Sequence, residues 1–430
     1  MKKARKRLPA SGSQASVRKH EEQLPWKKQK LLDIHQALNS DPVDIETLRQ
    51  AAVSEGGLLT DDIRRKVWPK LLSINVYNLP AKPCKCVFVL VERTTKNFSV
   101  FFYFNFFLIS LILKAKDVRE DHRDYRQVVL DVKRSMRRFP KGMRVDEREV
   151  LQEQLIDIIL DVLRRNPQLH YYQGYHDIVV TFLLVLGEKM TIAIMEKLSN
   201  HHLRDFMDPT MDSTKHVLNY LMPILERVDR ELHDFMIRSE VGTIFALSWL
   251  ITWYGYVLSD FRHVLRLYDF FLASHPLMAI YFAAVIVLYR QKEVKSSECD
   301  MASVHHLLSQ MPQDLPYEEL IGRAQSLFMS CPPSLLTQSA ALQPRNIIAI
   351  STFTDFQTST LRQRPDSVLR QQTEKRHENQ LALPKSTQPA STNQLIKMAV
   401  WGLSATLGAA ALAVAQTAMD WAPEFLSQLF

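Results

Sequence analysis

From residue 26 to about residue 335, apolar side chains recur at three- and four-residue spacing, and period-two alternation is nearly absent outside residues 78–118. That spacing gathers apolar groups on one stripe of a helix, so the chain must bury helix against helix. Glycine numbers only 11 in 430 residues, and no Gly-rich phosphate loop of the Walker or dinucleotide type is present. A nucleotide site of the chain's own and a βαβ architecture are both disfavoured. With 46% hydrophobic residues there is material for a large core. The expected fold class is all-α, a multi-helix domain packed ridges into grooves.

Boundary signals place the first helices. Residues 26–39 carry Leu31, Leu32, Ile34 and Leu38 on one side. Asp41 and Pro42 read as N-cap and first-turn proline of a second helix that runs to about Val53 and stops at Gly56-Gly57. Thr60, followed by Asp61 and Asp62, opens a third over residues 63–72, the acids favouring the positive end of its dipole. Later helices are expected at residues 191–200, 213–228, 231–236, 241–254, 261–273 and 277–289, after an amphipathic helix bearing Leu151, Leu155, Ile158, Ile159 and Val162.

Charge narrows the function classes. The formal charge of +8 resides in residues 1–30, where ten Lys or Arg face Glu21 and Glu22, so the rest of the chain is balanced. A nucleic-acid binder should carry its basic footprint on the fold, and this one does not. The arm at residues 1–25 reads as disordered. Four cysteines (Cys84, Cys86, Cys299, Cys331) form no CxxC pair, which suits a reducing compartment. The doublets His201-His202 and His305-His306, and His176, lack a metal-like set of partners and read as packing or surface residues.

Two short stretches carry chemistry. After a helix stop at Asn166-Pro167 comes LHYYQGYHD at 169–177, in which Gln173 sits beside Gly174 among Tyr171, Tyr172 and Tyr175. A glutamine held on such a loop can orient an attacking water. Earlier, Asp131 and Arg134 lie three apart on a helix with apolar Tyr125, Val128, Val129, Val132 and Met136. They share a face, so the carboxylate can brace the guanidinium. Taken singly, each stretch is also what an ordinary core loop or a surface ion pair looks like.

Together they resemble IxxDxxR and YxQG, the paired signatures of the TBC-domain Rab GTPase-activating proteins, with Val128 at the first position. Gly57-Leu58-Leu59-Thr60 and the following basic helix with Trp68, Leu71 and Leu72 are similar to the family's opening block. Ser248-Trp249-Leu250 and Arg266-Leu267-Tyr268-Asp269 are similar to a later one, with Tyr268 where most members carry tryptophan. The likeness extends over most of residues 27–335. It implies that Arg134 is an arginine finger, that Gln173 orients water in place of the GTPase's own glutamine, that Asp131 holds Arg134, and that Tyr171 and Gly174 shape the glutamine loop. It also implies a Rab GTPase in its GTP form as partner. GTP and Mg²⁺ then arrive with that partner, and the chain needs no cofactor or metal of its own. The alternative is a silent Rab-binding scaffold, since some TBC proteins lack a finger; here both finger positions are filled.

One departure interrupts the resemblance. At residues 78–118, where family members have a short loop, the chain carries an atypical hydrophobic insertion that includes an uncharged run at 98–113. Sixteen residues reach about 24 Å as a helix, short of the roughly 30 Å hydrocarbon core. A span there would also put the Trp68 and Arg134 blocks on opposite sides of a membrane. The segment reads as aberrant, as if intronic sequence were translated.

Past residue 335, residues 336–394 are rich in Gln, Ser, Thr and Pro and are expected to form a disordered linker. A membrane helix is expected at 395–419, its uncharged part, residues 398–419, being about 33 Å long as a helix. Residues 420–430 would form a short lumenal tail. Lys397 on the linker side keeps the domain at residues 26–335 in the cytosol. Small residues four apart (Ser404 and Gly408; Ala405, Ala409 and Ala413) permit self-association of that helix. Combined with the resemblance, this tail anchor implies an activator of an early secretory Rab, held on the endoplasmic reticulum membrane.

A glycosylation reporter checks the topology. A sequon appended after Phe430 should be modified, whereas Asn97 and a sequon near residue 20 should not. Modification near residue 20 would make the insertion a true membrane span.

Overall fold

The computed structural model describes residues 25–80, 119–135, 139, 142–339 and 347–382. The basic arm, nearly all of the hydrophobic insertion and the apolar run at 398–419 lie outside the described residues. Among the described residues there are helices and turns and no strand, and no helix is long and apolar enough to cross a membrane. Contacts divide the chain into Met1–Leu369 and Arg370–Phe430; of the second unit only residues 370–382, the continuation of helix Asp366–Ala382, are described.

Met278–Tyr289 is apolar on every side and is therefore buried along almost its whole length, the centre against which Tyr317–Ser330 and Leu221–Val228 pack. Val145–Arg165 is exposed at its start and buried from Leu155 to Leu163, where it meets Tyr125–Arg134, Tyr175–Leu186 and Glu188–Asn200.

A buried polar hub joins the beginning of the domain to its late helices. Asp269, wholly buried on helix Phe261–Ala273, accepts from Arg64 Nε at 3.1 Å and Nη2 at 2.9 Å, from Trp68 Nε1 at 2.8 Å and from the Leu58 amide at 3.0 Å. Four donors converging on one carboxylate meet the condition under which a buried charge is tolerated. Burial alone would lower the Arg64 pKa, but the charge and hydrogen bonds of Asp269 and Asp61 outweigh it and raise it. Gly57 has φ +55°, and a Cβ there would meet Asp269 Oδ2 at 2.6 Å, so glycine lets the chain close over the hub. One turn earlier, Arg266 donates to the Ala52, Val53 and Ser54 carbonyls at the end of helix Ile45–Val53, and also grips Glu318. From Trp68 the packing continues edge-on to Phe182 at 5.3 Å, then to Tyr268 at 5.3 Å and Trp253 at 5.4 Å.

Several elements depart from expectation. Helix Ile45–Val53 is capped by Asp44, which accepts from the Thr47 amide, rather than by Asp41, because Val43 turns into the core first. The run at 213–228 breaks into Asp212–Leu218 and Leu221–Val228. Pro223 cannot donate to the Asn219 carbonyl and crowds it, which stops a continuous helix. The run at 241–254 forms only the 3₁₀ turn Ile244–Ala246 and Leu247–Ile251, then turns sharply through Trp253 (φ 45°) and Tyr254 (φ 63°). Both are left-handed conformations unfavourable for aromatic residues. They are held by the Trp253 ring on Tyr268 and Phe271 and by the Tyr254 hydroxyl donating to the Ala279 carbonyl.

The largest correction concerns residues 347–369, assigned by composition to a disordered linker. Ile348–Ser351 and Phe353–Thr360 form a helical strap docked on the domain. Asp205 accepts from the Ile348 and Ala349 amides, Phe356 is buried beside His201 and His202, and Arg49 donates to Thr360. Lys70 reaches the Arg364 carbonyl and pairs with Asp366. A few apolar anchors (Ile347, Phe353, Phe356) and specific polar partners hold the strap, and average composition hides both. The domain boundary thus moves from 335 to about 369. Of the histidine doublets, His202 is packed in the core, its pKa lowered to about 3 by burial and then by His201 and His275.

Asp269→Ala should destabilise the domain by about 3–5 kcal/mol, because it strands the buried Arg64 charge. Replacing both, as Arg64→Met with Asp269→Leu, should recover much of that loss. Urea midpoints at constant slope test this; a change under about 1 kcal/mol in Asp269→Ala would contradict the hub.

Candidate functional site

Arg134 is the last residue of helix Tyr125–Arg134 and is exposed. Gln173 is exposed on the turn before helix Tyr175–Leu186. The two line one open cavity of about 690 Å³, together with Asp131, Tyr172, Gly174, His176, Met211 and Thr252 among others. An arginine and a glutamine 39 positions apart in sequence therefore face the same space, with Met211 and Tyr256 exposed at its wall.

The loop carrying Gln173 is fastened on several sides. Arg123 donates to the Pro167 and Leu169 carbonyls, and the His170 amide donates to the Met207 carbonyl at 2.9 Å. The Tyr172 hydroxyl donates to the Ile251 carbonyl at 2.9 Å, and its ring meets Tyr175 and Phe206 edge-on. Tyr175 is buried, its hydroxyl 2.7 Å from Ser199 Oγ. Burial holds the phenol pKa values of Tyr171, Tyr172 and Tyr175 above the ordinary value, so all three stay neutral donors.

Gly174 is needed twice over. Its φ of +113° is a conformation L side chains rarely adopt, and a Cβ would lie 2.9 Å from Thr252 Cγ2. Thr252 cannot easily retreat, since its Oγ1 donates to the Ser248 carbonyl at 2.7 Å and accepts from the Tyr256 amide.

Asp131 does not do what its spacing suggests. Oδ1 accepts from Gln127 Nε2 at 2.9 Å and Oδ2 from the Tyr171 hydroxyl at 3.0 Å. Among the described residues, Arg134 makes no ion pair with it. An i,i+3 separation permits contact without enforcing it, and the buried carboxylate is already satisfied by Gln127 and Tyr171. Asp131 thus ties the arginine helix to the glutamine loop instead of bracing the guanidinium. Ser135, the residue after Arg134, donates its Oγ to the Asp131 carbonyl at 2.9 Å, which closes the helix end.

His176, read as packing or surface, is indeed buried, but its place beside Tyr171 at the cavity was not foreseen. Its Nδ1 lies 3.0 Å from the Tyr171 hydroxyl, its Nε2 lies 3.6 Å from Asp177 Oδ2, and it lines the cavity. The available signal was position: a histidine on the first turn of a helix lies back over the loop that precedes it. Thr252 and the left-handed pair at 253–254 had no comparable signal. Among the described residues no cluster of His, Cys, Asp or Glu is arranged to hold a metal ion.

Residues 61–295 match the family described as Rab-GTPase-TBC domain. TBC1 domain family member 20 of Homo sapiens is 59% identical over 411 residues, covering 94% of this chain and 93% of that protein. GTPase-activating protein gyp10 of Schizosaccharomyces pombe is 30% identical over 304 residues, covering 70% and 72% respectively. In fold, the chain is similar to the crystal structure of the Ypt/Rab-GAP domain of Gyp1p, with a TM-score of 0.51, 16% identity, and coverage of 70% of this chain and 98% of that one.

Gly174→Ala should lower stability by about 1–3 kcal/mol and disorder the Gln173 turn. Adding Thr252→Ser removes the opposing methyl while keeping the hydroxyl, so it should restore the steric part of the loss and leave the backbone part. Thermal melts of the single and double variants check this; full recovery in the double variant would contradict the conformational strain.

Proposed function

The chain belongs to the Rab-GTPase-TBC domain family and is a Rab GTPase-activating protein; we propose that it works by two residues supplied in trans, Arg134 and Gln173, on a Rab of the early secretory pathway. The observation that carries this reading is that both side chains, exposed and 39 residues apart, line one cavity. A GTPase entering that cavity would present a phosphoryl group whose oxygens gain charge as the bond to the leaving group breaks. Arg134 offers a planar guanidinium with no competing carboxylate among the described residues, free to move onto those oxygens. A finger of this kind is worth roughly 10³–10⁵ in rate. Gln173 offers a carboxamide that accepts a hydrogen bond from the attacking water and donates toward the phosphoryl oxygen. The chain's own contribution is placement and electrostatics, while GTP and Mg²⁺ come with the partner.

Membrane attachment belongs to the same proposal. The apolar run at 398–419 would anchor the domain to the endoplasmic reticulum membrane, where the substrate Rab is itself held. Confinement to one surface raises the effective concentration of each partner for the other.

Single-turnover GTP hydrolysis by the full chain across a panel of GTP-loaded Rab GTPases tests the two roles. Arg134→Ala and Arg134→Lys should each remove nearly all acceleration with helical circular dichroism unchanged, because lysine lacks the planar fork. Acceleration should survive mutation of the Rab's own switch glutamine and collapse in Gln173→Ala. Loss of stimulation in the Rab mutant would assign water orientation to the Rab and leave Gln173 structural.

A further inference from the structure

We infer that His176 is a positioning residue for the glutamine, acting through Tyr171, and that Asp131–Tyr171–His176 forms one relay setting the Gln173 turn against the arginine helix. The inference rests on the two-residue reading above and goes further in naming what fixes the second residue.

Proton arithmetic along the relay defines the role. Tyr171 has a single hydroxyl proton, which goes to Asp131 Oδ2 at 3.0 Å. Its oxygen lies 3.0 Å from His176 Nδ1 and has no second proton to give. His176 Nδ1 must therefore carry the hydrogen and donate to Tyr171. Asp131 is filled on its other oxygen by Gln127, so the direction of donation is fixed from His176 through Tyr171 to Asp131. Burial and the neighbouring Asp131 hold Tyr171 protonated, which keeps that order.

Position makes the relay consequential. Tyr171 lies two residues before Gln173, and His176 lies three after it. The relay thus clasps both sides of the turn, while Asp131, three residues before Arg134, fastens the clasp to the other helix. His176 and Asp131 are both buried and both line the cavity without being its exposed reacting groups. The Tyr172–Ile251 hydrogen bond and Gly174 against Thr252 fix the far side of the turn, and the Asp131–Tyr171–His176 relay restrains it on the side of the arginine helix.

The test uses the full chain and the Rab that responds most strongly in the panel. His176→Leu removes the donor and should lower the maximal stimulated rate on the order of 100-fold, as expected for a displaced group. The activator concentration giving half that rate should change less than about twofold, because ground-state docking is intact. His176→Asn places an amide N–H close to where Nδ1 stood and should restore the rate to within about threefold of wild type. In a double-mutant cycle, His176→Leu should add less than about twofold to the loss in Gln173→Ala, since both act through one group. A residue that merely supports the fold would instead lower the rate multiplicatively, shift the half-maximal concentration and resist rescue by Asn.

Four results overturn the inference: a wild-type rate in His176→Leu, an impaired His176→Asn, independent losses in the cycle, or unaltered activity in Gln173→Ala. The last of these also overturns the two-residue reading; the first three leave it standing. Should His176→Leu melt early, His176→Asn and Tyr171→Phe carry the test. Asn keeps the relay and the rate, Phe breaks both, and equal rates in the two overturn the inference.

Discussion

The carboxylate of Asp269 ties the opening block of this domain to its late helices. It is buried and charged, so it is tolerable only if it is surrounded by donors, and Arg64, Trp68 and the Leu58 amide provide them. To reach it they must fold back from the opening block, some two hundred residues earlier in sequence. That long-range demand fixes helix Asp61–Leu71 against helix Phe261–Ala273 more specifically than apolar packing would. Trp68 then passes the constraint through Phe182 into Tyr175–Leu186, whose first turn follows Gln173. The hub and the cavity are thus two ends of one packed column.

At the cavity end the design is economical in charge. Arg134 and Gln173 are exposed and uncommitted to each other, while buried Asp131 and half-buried Tyr171 and Tyr172 beside them are engaged in hydrogen bonds. A residue that must act on a partner cannot be satisfied in advance within its own chain, or breaking that bond would add to the barrier. Asp131 turns away from Arg134 and toward Tyr171 in keeping with this requirement. Stiffness resides in the supports and freedom in the reacting groups. The left-handed pair Trp253 and Tyr254 stores some backbone strain behind the wall that Thr252 presents to Gly174.

Much of this was legible in the sequence, for identifiable reasons. Helical period and scarce glycine determine the fold class, and the helix at 261–273 was readable from its apolar period and is observed at Phe261–Ala273. Arg134, Gln173, Tyr171 and Gly174 could be named because they fall in two short stretches that together resemble IxxDxxR and YxQG. Partnership was less legible than position. Asp131 has a near neighbour in sequence, Arg134, and a distant one, Tyr171, and only the folded chain selects the distant one. His176 looked bland because its role depends on a phenol that already spends its proton elsewhere. The strap was missed because an average over a polar segment cannot register three apolar anchors or a cap supplied by Asp205. The turn at 253–254 was read as helix since nothing local announces a left-handed Trp-Tyr pair.

The central claim is that Arg134 and Gln173 enter one GTPase site together. It is tested most directly by the structure of this chain bound to its Rab with GDP and aluminium fluoride, which imitates the transferring phosphoryl group. The account predicts the Arg134 guanidinium against the fluorides, which stand where the phosphoryl oxygens would be, and the Gln173 carboxamide within hydrogen-bond distance of the attacking water, with the Rab's own glutamine turned aside. A complex in which the Rab glutamine contacts that water while Gln173 faces away would contradict it.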